Sequence, residues 1–68
     1  MVVYGLCTHT SSKTLTLYSI GEQNEVPKTG QGPDYVTTYY SDINKAKSNY
    51  RQSERYLSPE GYTCVDET

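Results

Sequence analysis

The chain has eight tyrosines and neither phenylalanine nor tryptophan. The aliphatic side chains beside them are few: five Val, four Leu, two Ile and one Met. Any core must therefore be assembled partly from rings that carry a hydroxyl, and a buried Tyr needs a partner for that hydroxyl. Sixteen Ser and Thr residues push the composition further toward strands, because β-branched and aromatic side chains suit a pleated, half-buried surface. At 68 residues there is room for one domain, residues 1–68. A chain of this size buries roughly 60% of its unfolded surface and is only marginally stable.

The formal charge is −2. A protein built mainly to hold a phosphate backbone shows a basic excess, and none is present. No stretch approaches the ~20 apolar residues of a membrane span. Met1 to Cys7 is short for a signal h-region and has no basic start, so a cytoplasmic setting is expected. Cys7 and Cys64 lie near opposite ends of the chain. A disulfide between them would close a long loop, whereas a cytosolic setting favours free thiols behaving as small hydrophobes. Whether the two touch is open at this stage. Cys7-x-His9 with one distant Cys is a weak metal signal, since zinc wants four ligands, and no metal or cofactor is expected.

Hydrophobic periodicity places the elements. Val2 to His9 reads as a strand, Thr10-Ser11-Ser12 as a polar turn, and Lys13 to Ile20 as a second strand. A turn centred on Ser11-Ser12 sets Leu6 opposite Leu17, Tyr4 opposite Ser19 and Thr8 opposite Leu15. That register gathers Val2, Tyr4, Leu6, Leu15 and Leu17 on one face. It also sets Gly5 opposite Tyr18, whose ring could cover the glycine. Residues 21–34, GEQNEVPKTGQGPD, contain three of the five glycines and two of the three prolines. They read as one long loop, and loops beyond ~12 residues tend to be functional or mobile. Tyr35 to Tyr40 reads as a third strand. Ser41 suits a helix N-cap, with Asp42 in the first turn. The helix runs from about Asp42 to Leu57, with Ile43, Ala46, Lys47, Tyr50 and Leu57 at helical spacing. Pro59 stops it, Gly61 turns the chain, and Tyr62 to Val65 is a last short strand. The expected fold is α+β: an antiparallel sheet of three or four strands with one helix packed on a face, in the order β-β-loop-β-α-β.

Few residues point to catalysis. His9 has no acid near it in sequence, and a general base needs an orienting partner and a pocket. Gly30-x-Gly32 is followed by no Gly-Lys-Ser/Thr and starts no helix, so it is no phosphate loop. No catalytic residue is assigned. Lys47, Arg51 and Arg55 do align at i, i+4 and i+8. They form either an ordinary solvated face or a stripe that docks on an acidic surface or on nucleic acid. Eight tyrosines exceed what a thin core hides, and exposed Tyr is enriched at interface hot spots.

The segment YVTTYYSDINKA, residues 35–46, followed by a basic helix and a short strand ending Cys64-Val65-Asp66, resembles the corresponding region of the small bacteriophage antitoxins of the Dmd type. There too an aromatic residue, a small apolar residue and two threonines precede a tyrosine, a small residue, an acid, a β-branched residue and Asn-Lys-Ala. Here those positions are Tyr35, Val36, Thr37, Thr38, Tyr40, Ser41, Asp42, Ile43, Asn44, Lys45 and Ala46. Residues 1–34 match only as a hairpin. The resemblance implies a phage protein that binds a host toxin ribonuclease and blocks it by occupying its active site, without catalysis of its own.

The first reading is thus a non-enzymatic inhibitor of a host defence protein acting by steric occlusion. Its expected contacts are Lys47, Arg51 and Arg55, the exposed Tyr39 and Tyr56, and Val26 and Lys28 in the loop. A nucleic-acid-binding protein that combines Tyr stacking with the helix cations is the second reading. An oligomeric structural component, a homodimer for example, is the third.

Overall fold

The computed structural model describes residues 1–27 and 30–68. The chain forms β1 (Val2–His9), β2 (Thr14–Glu22), β3 (Gly30–Gln31), β4 (Tyr35–Tyr40), α1 (Ile43–Leu57), a 3-10 turn (Ser58–Glu60) and β5 (Thr63–Asp66). The sheet order is β3-β4-β1-β2-β5. All neighbours are antiparallel except β2 and β5, which run parallel. Helix α1 provides the crossover from β4 to β5, as a parallel connection requires. The fold is α+β, a sheet with one helix across one face.

The hairpin register is the one the alternation predicts, with Leu6 opposite Leu17, Tyr4 opposite Ser19 and Gly5 opposite Tyr18. The pairing slips between Val2 and Tyr4, so that Val2 meets Glu22. Gly21, at φ 84°, supplies the left-handed residue that such a bulge takes. Val2 is consequently exposed at the end of the sheet rather than joining the core face.

Leu6, Leu15, Leu17, Ala46 and Tyr50 make the core between sheet and helix. Tyr4, Tyr40, Leu57 and Cys64 pack at its margin. The helix has few apolar residues, and its Ala46–Tyr50 stripe owes its place to docking on Leu15 and Leu17 more than to propensity. Its N-cap is Asp42, not Ser41. Asp42 is extended (φ −113°, ψ 118°) and its carboxylate accepts from the Asn44 N–H at 2.9 Å. Ser41 lies one residue too early for that bond.

The described part of residues 21–34 is not a single loop. Strand β2 continues to Glu22, and Gln23 exchanges backbone bonds with Met1 at 2.7 and 3.1 Å. Gly30 and Gln31 then pair with Thr37 and Val36 to form β3. The sheet therefore has five strands instead of three or four. One glycine and one glutamine, with no apolar residue, give β3 no signal of its own, and it exists because the edge of β4 offers unpaired backbone groups.

Candidate functional site

The stripe on α1 is real in space. Lys47, Arg51 and Arg55 line one open groove of about 470 Å³ with Asn44, Ser48 and Gln52. Residues four apart on a helix stack on one face, and this face points away from the core residues Ala46 and Tyr50. None of Lys45, Lys47, Arg51 and Arg55 forms an ion pair with the described residues. One acid does face the stripe. Asp66 lies opposite Leu17, on the helix side of the sheet. The hydroxyl and N–H of Thr68 hold its carboxyl below the ordinary carboxylate range, and Lys47 and Arg51 add to that pull.

The other expected contacts lie elsewhere. Tyr56 is 72% exposed but does not line the groove. Helical spacing sets it beside Lys45, Asn49 and Gln52 on the flank. Val26 is exposed in a separate shallow recess with Gln23, Asn24, Glu25 and Pro27. Lys28 lies outside the described residues. Tyr39 pairs with Gly5 and so projects from the face of the sheet that α1 does not cover.

That helix-free face is built in rows across the strands. Tyr39, Gly5 and Tyr18 make one row, and Thr37, Cys7, Thr16 and Val65 the next. The third is Tyr35, His9, Thr14 and Thr63. The Tyr18 ring lies over Gly5. Burial raises the Tyr18 pKa, with neighbouring Tyr39 adding to the rise. Cys7 sits on this face and Cys64 on the helix side. Both are free thiols, and the pleat points them to opposite sides of the sheet. The tyrosines of this face and the cations of α1 are likewise on opposite sides.

A polar cluster at the hairpin tip has no counterpart among the expected site residues. His9 pairs with Tyr35 and stacks on it, with centroids 6.2 Å apart and planes 9° apart. That pairing brings Asp34, 25 positions further along the chain, to within 3.8 Å of His9 Nε2. Ser11 Oγ donates to Asp34 Oδ2 at 2.8 Å, and Ser11 and Ser12 hydroxyls meet His9 Nδ1 at 3.1 and 3.0 Å. Ser, His and Asp are the residue types of a nucleophilic triad, but the arrangement differs from one. Both serines converge on one ring nitrogen, the carboxylate is beyond hydrogen-bond distance of the other, and the cluster is exposed. Thr10 N–H and Oγ1 both donate to the Asp34 carbonyl at 2.8 Å. The cluster therefore staples the β1–β2 turn to the entrance of β4. The only legible signal for it would have been the pairing of β4 with β1, which places residue 34 beside the hairpin tip.

Compared with protein-family models, with curated proteins and with solved structures, the chain matches none.

Proposed function

We propose that this protein is a non-enzymatic binding module that inhibits a host defence protein, a toxin ribonuclease or similar, by docking α1 on an acidic surface and covering the target's working site. The observation that carries the reading is the row Lys47, Arg51 and Arg55 on the solvent side of α1, lining one groove without an ion-pair partner among the described residues. Cations left unpaired within the fold cost little in water and gain when an acidic partner desolvates them in register. The resemblance of residues 35–46 to the Dmd-type antitoxins supports the same class, with the host cytoplasm as the place of action. The separation of the sheet tyrosines from the helix cations favours a protein partner over nucleic acid.

The test is a tagged pull-down from bacterial lysate, treated with nuclease and read by mass spectrometry, with the Arg51→Glu/Arg55→Glu variant alongside. One host protein in a stoichiometric band is expected. The variant should weaken that complex at least tenfold, about 1.4 kcal/mol, while its circular dichroism and urea midpoint stay unchanged. Unchanged affinity would remove α1 from the interface. Recovery of nucleoid or ribosomal proteins alone, lost on nuclease treatment, would replace the reading with nucleic-acid binding.

A further inference from the structure

We infer that the helix-free face of the sheet is the contact surface between two copies of this chain, stacked sheet to sheet about a two-fold axis that runs between the two sheets over β1. The first ground is charge. Antiparallel sheets with one solvated face normally alternate apolar-in with polar-out positions, and 21% of this chain is charged. Yet the outward positions of β1, β2, β4 and β5 carry no Asp, Glu, Lys or Arg. They present Tyr, Thr, Cys and Val, with His9 at one end of the face, close to the charge-depleted, tyrosine-rich composition of an interface centre. Two such faces can meet without burying a charge as long as the His9–Asp34 end, with the carboxylate 3.8 Å from the ring, stays at the rim of the contact. The helix side cannot meet itself in this way, because a two-fold axis there would oppose Lys47, Arg51 and Arg55 to their own copies.

The second ground is the state of that face. Val3 has no exposed surface and Thr37 only 5%, so part of this side is already packed, and the Tyr18 ring covers Gly5. Val65 and Tyr35 remain exposed at its rim, at 40% and 38%. The third ground is size. Six buried apolar side chains are a small core for 68 residues, and domains this small often gain stability by oligomerising. The molecule is a slab of 35 × 25 × 15 Å, and its broad side is wide enough to hold the roughly 800 Å² per partner that a standard stable interface buries. Central β1 then faces its own copy across the axis, and the contact is isologous and closed.

Sedimentation equilibrium of the intact chain should give a concentration-dependent dimer. Thr16→Lys places a charge in the middle of the face and should return the protein to monomer, whereas Arg51→Glu/Arg55→Glu should leave the dimer intact. If Thr16→Lys fails to fold, the unsubstituted chain still decides through its thiols. Alkylation of Cys7 by N-ethylmaleimide should slow severalfold as protein concentration rises through the dimerisation range, and that of Cys64 should not. A chain that stays monomeric up to about 1 mM, the affinity of a negligible interface, would overturn the inference. So would a dimer that leaves Cys7 alkylation unchanged, or one dissolved by the helix charge reversals. None of these outcomes depends on the partner of α1.

Discussion

A single missing side chain organises the helix-free face. A Cβ built on Gly5 would lie 2.7 Å from Cζ of Tyr18 and 2.8 Å from its hydroxyl oxygen. Gly5→Ala should therefore lower stability by about 1–3 kcal/mol, the usual cost of overpacking, read from the urea midpoint. In a Tyr18→Ala background the same change should cost much less, because the clashing ring is gone. This contact was legible from the sequence, since the alternating pattern of β1 and β2 allows one register and that register pairs Gly5 with Tyr18. The His9–Asp34 approach was not legible. It depends on β4 lying beside β1, and nothing local to either residue encodes that choice. The cap position was half legible: Ser41 and Asp42 are both good N-caps, and only backbone geometry decides between neighbours.

At the scale of elements, α1 is held by its cap and by two buried residues. Asp42→Ala removes the bond to Asn44 N–H and should cost about 1 kcal/mol, measured by thermal or urea unfolding. The helix and its cationic stripe were visible because their spacing of four is intrinsic to the helix. Strand β3 was invisible because its two residues carry no β propensity, and β5 was visible as a strand but not as a parallel partner of β2. Residues 35–46, which carry the resemblance to phage antitoxins, turn out to be β4, the cap and the first turn of α1. They specify how the helix leaves the sheet, and the groove-lining residues from Lys47 onward lie beyond them. The candidate site was thus legible as a stripe and not as a set. Lys47, Arg51 and Arg55 share a groove, while Tyr39, Tyr56 and Val26 fall on three other surfaces.

Across the whole molecule, burial leaves a signature in alkali. It pushes the Cys64 thiol above its ordinary 9.0 and the Tyr18 and Tyr50 hydroxyls above 10.0. In the unfolded chain these groups ionise at their ordinary values, so between the ordinary and raised values the unfolded state binds fewer protons. Stability is then intact below pH 9.0 and falls as pH rises through that value and onward. Cys64→Ala should move the start of the decline toward 10.0, where the tyrosines begin, as followed by urea midpoints across the alkaline range. The sheet order also sets a timetable. Strands β1 and β2 are joined by a four-residue turn, but Thr14 of β2 meets Thr63 of β5 across 49 positions of sequence. Closing that span costs more chain entropy than closing the turn, so the hairpin forms in the folding transition state and β5 docks after it. Val65→Gly should accordingly speed unfolding in stopped-flow experiments and leave the folding rate nearly unchanged. The strand that arrives last is also the first to leave.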